Sequence, residues 1–121
     1  MMKKPSAAKL RIQQQILEIR AQLANFDLVC PGHLLKRTKV CGKPTCRCAT
    51  SPEYRHGPYY EWTRWENGRL VHTTLPPHQA KEVERAIKNH RAVARLLADW
   101  SRESEKLIRS LEPTSPDNID T

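Results

Sequence analysis

The sequence predicts an α+β fold: an N-terminal helix, a Cys-rich loop, a two-stranded antiparallel β-hairpin, and a long C-terminal helix packed on the first as a coiled coil. Three observations carry that expectation. Apolar residues recur at alternating spacings of three and four in two separate stretches, the period of a helix seam. All four cysteines fall between residues 30 and 48. Asn67-Gly68 stands between two β-prone runs, the strongest short-range signal for a type I′ turn.

The first helix is expected over residues 6–26. Ile12, Ile16, Ile19, Leu23 and Phe26 form its seam, and Gln13, Gln14, Gln15, Glu18 and Arg20 lie off it. Ser6 suits the N-cap, and Pro31-Gly32 bars any continuous helix beyond. Residues 30–58 read as a loop with sparse regular structure, which something else must organise. The hairpin occupies 59–75. With Asn67-Gly68 as a two-residue loop, Glu66 faces Arg69, Trp62 faces Thr73 and Tyr60 faces Leu75. Tyr60, Trp62, Val71 and Leu75 then share the packed face. Glu61, Thr63, Trp65, Leu70 and His72 share the exposed one. A two-stranded hairpin is marginal alone, so it must lean on a helix or on the loop.

Pro76-Pro77 opens the second helix, proline being tolerated in the first turn. The helix is expected to run over 77–111, about 50 Å at ~1.5 Å per residue. Its seam is Val83, Ala86, His90, Val93, Leu97, Trp100, Ser104, Leu107 and Leu111. The first helix is too short to cover this length. The surplus from Trp100 to Leu111 therefore predicts a homodimer or another protein partner. Residues 1–111 are read as one domain, and the Pro-, Ser- and Asp-bearing tail 112–121 as disordered.

The chain of 121 residues carries a formal net charge of +8, with a pI near 9.6 and a mean hydropathy of -0.72. This balance favours polyanions, nucleic acid before anionic membrane. No apolar run approaches the ~20 residues of a membrane helix, and no signal-peptide core follows the first residues. A cytoplasmic setting is the expectation, where thiols stay reduced and clustered cysteines argue for metal before disulfide.

Cys41, Cys46 and Cys48 form C-x4-C-x-C. Thiolates and imidazoles are the natural ligands of Zn2+, which takes four in a tetrahedron. Lys43, Arg47 and Arg37 offset the charge of three thiolates and favour their ionisation. For the fourth ligand His56 has a slight preference over Cys30, and His33 comes third. A closed site of three Cys and one His is structural. No phosphate loop, serine elbow or carboxylate pair is visible, so no enzyme is expected.

Cys41-Gly42-Lys43-Pro44-Thr45-Cys46-Arg47-Cys48, followed by His56-Gly57-Pro58-Tyr59-Tyr60, resembles the signature of a bacterial family of small proteins catalogued as a domain of unknown function. Pro31-Gly32-His33-Leu34-Leu35 resembles it too, and the likeness covers roughly residues 28–100. Members are often encoded beside transposase or integrase genes, which implies work on mobile DNA. The family's shared positions map to Cys41, Cys46, Cys48 and His56. Cys30 lies outside them, which the resemblance counts in favour of His56.

The expected function is that of a zinc-stabilised DNA-binding accessory protein in transposition or recombination. Lys36, Arg37, Lys39, Lys43, Arg47, Arg64 and Arg69 are the candidate phosphate and base contacts, and Trp65 is the candidate for stacking. Lys81, Lys88, Arg95, Arg102 and Arg109 recur every seven residues on the helix, either as a second phosphate stripe or as the ordinary solvated outside of a coiled coil. Two other readings compete. One is an adaptor that docks on a recombinase, transposase or other protein through Trp100 to Leu111. The other is a single-strand or RNA binder using Trp65 and Tyr59.

Overall fold

The computed structural model describes residues 6–111. The fold is α+β, with two helices and a three-stranded antiparallel sheet. Two compact units divide the chain, Leu28–Ala92 and the pair of segments Met1–Asp27 and Val93–Thr121.

In the unit Leu28–Ala92, strands β1 (His33–Lys39), β2 (His56–Glu66) and β3 (Arg69–Leu75) lie in the order β1-β2-β3. The expected hairpin is present in its expected register, with Glu66 opposite Arg69, Trp62 opposite Thr73 and Tyr60 opposite Leu75. Asn67 and Gly68 both take positive φ, 50° and 78°, as a type I′ turn requires. The sheet is not two-stranded, however. The stretch expected as loop contributes β1, which pairs from His33 opposite Thr63 to Lys39 opposite His56. Its sequence, His-Leu-Leu-Lys-Arg-Thr-Lys, has no clean period of two, because Leu34 and Leu35 fall on opposite faces. Pairing with the longer β2 holds it in place, and a third strand removes the weakness of an isolated hairpin.

Register sorts the side chains into two faces. Leu34, Lys36, Tyr60, Trp62, Arg64, Val71, Thr73 and Leu75 share one. The first half of the long helix α2 (Pro77–Arg109) covers it, burying Ala80, Ala86 and Ile87. The segment before β1 is fastened to both layers. The Cys30 N–H donates to the Ala86 carbonyl at 3.1 Å, the Asn89 amide donates to Leu28 O at 2.9 Å, and Trp62 Nε1 donates to Pro31 O at 2.9 Å.

In the other unit, α1 spans Ala7–Leu23, and the α2 residues from Val93 onward run beside it. Ser6 is its N-cap: Oγ accepts from the Lys9 N–H at 3.2 Å. Ile19 is buried and Ile12, Ile16, Leu23 and Phe26 are half-buried, so the predicted seam of α1 is its covered side. Ala8, Ile12 and Gln15 line a groove with Glu103 and Lys106. Gln15, Ile19 and Gln22 line another with Leu96, Asp99 and Arg102. The two segments therefore run antiparallel. Two expectations change here. The covered line on α2 passes through Leu96, while Leu97 is 50 % exposed, because α1 lies on the Leu96 side, with Gln15, Ile19 and Gln22 against it. The stretch from Trp100 is also not surplus, since α1 lies along it as far as Lys106. Only Ile108 and Leu111 at the end stay mainly exposed. The expected tail 112–121 lies outside the described residues.

Removing the Ser6 hydroxyl leaves a helix N–H without its acceptor. Ser6→Ala is expected to lower stability by about 1 kcal/mol, read as a shift in the urea midpoint at constant slope.

Candidate metal centre

The connection between β1 and β2 has almost no apolar core of its own. It is built from consecutive tight turns. The Cys46 N–H donates to Lys43 O, Ala49 to Cys46 O, and Thr50 to Arg47 O, all within 3.0–3.2 Å. Single 3-10 turns follow at Arg47–Ala49 and Pro52–Tyr54. The one buried side chain is Cys48, 2 % exposed. Such a segment buries too little to offset the entropy of ordering it, so the groups around Cys48 must supply the remainder.

Those groups are Cys41, Cys46 and His56. One ligand atom from each of the four residues lies within 4.8 Å of all the others, an arrangement compatible with a metal ion. Cys41 Sγ is 3.4 Å from Cys48 Sγ, and Cys46 Sγ is 3.4 Å from His56 Nε2. Sulfurs bound to one tetrahedral ion at ~2.3 Å stand about 3.8 Å apart, close to the spacing found. All four cysteines are free thiols. His56 is the first residue of β2, paired with Lys39 across a register shift in β1. The sheet therefore fixes one ligand and the turns carry the other three.

The thiols differ in acidity. The Cys48 backbone N–H, then the Cys48 and Cys41 side chains, hold the Cys46 thiol below its ordinary value. For Cys48 the Cys41 backbone N–H also acts to lower it, 3.4 Å from the sulfur, but burial and the neighbouring Cys46 and Cys41 sulfurs outweigh that and push it up. Cys46 is thus more readily a thiolate than Cys48, and a cation among the three would relieve the crowding at Cys48.

Neither Cys30 nor His33 joins the cluster. Cys30 sits beside α2 through its backbone bond to Ala86, and His33 opens β1 opposite Thr63.

The basic residues are distributed unevenly. The unit Leu28–Ala92 holds twelve Lys and Arg against five Glu; the remainder of the chain holds nine against eight acidic residues. Lys39 and Arg47 lie over the rings of Tyr59 and Tyr54, each 5.3 Å from the centroid. Lys43 and Arg69 are exposed. Arg37 is 4.0 Å from Glu61, and Lys36 edges a cavity of about 310 Å³ with Leu34, Tyr60 and Arg91. Arg64 departs from expectation. Its guanidinium stacks on Trp62 at 3.8 Å, donates to Thr73 Oγ1 at 2.7 Å and pairs with Glu66 at 3.0 Å. Its side chain is 12 % exposed, so it serves the covered face rather than a phosphate. The helix stripe is also largely spoken for: Lys88 pairs with Glu84, Arg102 with Asp99 and Arg109 with Glu105.

Sequence reasoning missed the part β1 plays beside the cluster. Leu35 and Arg37 share the open face of the sheet with Tyr59 and Trp65. The signal was the identical spacing of Leu34-x-Lys36 and Leu35-x-Arg37, which only a paired strand resolves into two faces. No helix among the described residues is long and apolar enough to cross a membrane. A family model described as Domain of unknown function (DUF6788) matches residues 9–85, reaching into α1 and stopping within α2. No curated protein and no solved structure matches the chain.

Proposed function

This chain belongs to the family described as a domain of unknown function, DUF6788, and from that premise we propose that it is a zinc-stabilised DNA-binding accessory protein acting in transposition or recombination. Cys41, Cys46, Cys48 and His56 hold one structural Zn2+, with no position left open for substrate. The ion fixes the β1–β2 connection, and with it Lys43 and Arg47, as a basic surface beside the sheet. The single observation that carries this reading is the segregation of charge: nearly all of the chain's cationic excess lies in the unit that also holds the cluster. Charge placed this way attracts a polyanion to that unit.

Lys39, Lys43, Arg47 and Arg69 are the phosphate contacts in this reading, with Arg64 removed from the expected set. The test is duplex affinity across a salt series. Log K should fall linearly with log salt, and replacing Lys43 and Arg47 together by Ala should lower the slope by about 2. Binding that ignores salt, or a slope that the double variant leaves alone, would sink the proposal.

A further inference from the structure

The open face of the sheet mixes polar residues with exposed apolar ones. The face against α2 carries Lys36, Arg64 and Thr73 among its apolar residues. The open face carries Leu35, Tyr59, Trp65 and Leu70, which are 45, 38, 69 and 47 % exposed. An antiparallel sheet with one wet face ordinarily places polar residues there, and large exposed apolar side chains among them mark an interaction site. Register sets two apolar patches along this strip, Trp65 with Leu70 at one end and Tyr59 with Leu35 at the other, with Glu61, Thr63 and His72 between them. Trp65 stands opposite Leu70, Leu35 opposite Glu61, and Tyr59 opposite Arg37. From Tyr59 to Trp65 the central strand spans about 20 Å.

The surroundings of the strip select its occupant. Arg37 lies on the face itself, and Lys39 caps the Tyr59 ring. Lys43 and Arg47 leave the sheet at the Tyr59 end with the metal loop. The one acidic residue on this face of the three strands is Glu61, and it is engaged. Its carboxylate is 3.3 Å from His72 Nδ1 and 4.0 Å from Arg37. Thr63 Oγ1 holds the same His72 nitrogen at 2.9 Å, leaving Nε2 directed away from Glu61. Exposed rings bordered by cations suit a polyanion that presents flat apolar surfaces, and unpaired nucleobases on a phosphate backbone are that ligand. A second copy of the chain would set two basic faces against each other, which disfavours it.

We infer that the open face of the sheet binds single-stranded nucleic acid, with bases stacked on Trp65 and Tyr59 and phosphates on Arg37, Lys39 and the metal loop. The inference rests on the nucleic-acid reading above and narrows it to unpaired strands. Duplex DNA conceals its base faces and can use the cations alone.

The experiment measures fluorescence anisotropy of a short labelled oligo(dT) and of a labelled duplex with the full-length protein. Wild type is compared with Trp65→Ala and Tyr59→Ala. Both rings are exposed, and far-ultraviolet circular dichroism with metal content verifies that the variants remain folded. The expected result is tighter binding of oligo(dT) than of duplex at equal salt, with about a tenfold or greater loss for Trp65→Ala and little change on duplex. Unchanged oligo(dT) affinity in both variants, with salt-dependent binding retained, would overturn the stacking surface while leaving DNA binding in place. No binding to either probe would overturn both. If Trp65→Ala instead abolishes self-association of a protein that ignores oligo(dT), the strip is a protein contact and the inference falls.

Discussion

Cys46→Ser is expected to strip the protein of its metal. Elemental mass spectrometry of the native wild type should give one zinc per chain, and the variant should give close to none. The prediction follows from three features of this cysteine. Its sulfur is 3.4 Å from His56 Nε2, so it joins the turn-borne ligands to the strand-borne one. Its thiol is held low by the Cys48 backbone N–H, which favours the thiolate needed for capture. It also stands at the N-cap of the 3-10 turn that buries Cys48. A serine hydroxyl reproduces the shape but not the soft anionic donor. Loss of a structural metal belongs with the largest single-site effects, about 4 kcal/mol or more. A chelator should have the same effect on wild type and little on the variant. Metal-free wild type that melts unchanged with or without added zinc would refute the assignment. The cluster would then have to be read as three reduced cysteines packed beside a histidine.

Gly32→Ala should be the most damaging substitution remote from the metal. Gly32 has φ of 109°, where a side chain is strained by about 1–3 kcal/mol. A Cβ there would also collide with the Thr63 carbonyl and come within 3.0 Å of Arg64 Cβ and Trp62 Nε1. Carbonyl and Cβ belong to the central strand and cannot rotate away. Trp62 Nε1 is already bonded to Pro31 O. The start of β1 must therefore lift from β2, for a cost of about 3 kcal/mol or more. Urea unfolding followed by Trp fluorescence reads this directly. A shift below 1 kcal/mol would mean that the Pro31-Gly32 segment can move away from β2 at little cost.

Much of this was legible in the sequence, and the reasons are specific. Asn67-Gly68 fixed the register of β2 and β3, because a two-residue turn leaves no freedom in pairing. The isoleucines of α1 and the Ser6 cap gave that helix its covered side. The C-x4-C-x-C spacing and His56 identified the four residues that the fold brings together. What stayed hidden depends on tertiary partners. β1 mixes apolar and cationic residues on both faces, so its period becomes visible only beside β2. Arg64 looks like any surface arginine until Trp62, two residues away on the same face, supplies a ring for it to cover. The exchange of Leu97 for Leu96 along α2 is set by where α1 lies, which no spacing within one helix determines.

The order of events during folding follows from where His56 sits. Sixteen residues separate Lys39 from His56, two positions that pair at the base of the β1–β2 ladder. Closing so long a connection costs entropy before any pairing rewards it. Cys41 lies two residues past one strand end, and His56 is the other end. An ion held by both shortens the effective loop almost to a tight turn. β3 needs no such help, since its own turn has two residues. The ion should therefore accelerate the joining of β1 while leaving formation of the β2–β3 hairpin at its own rate. In stopped-flow refolding, zinc then acts on one phase and not the other.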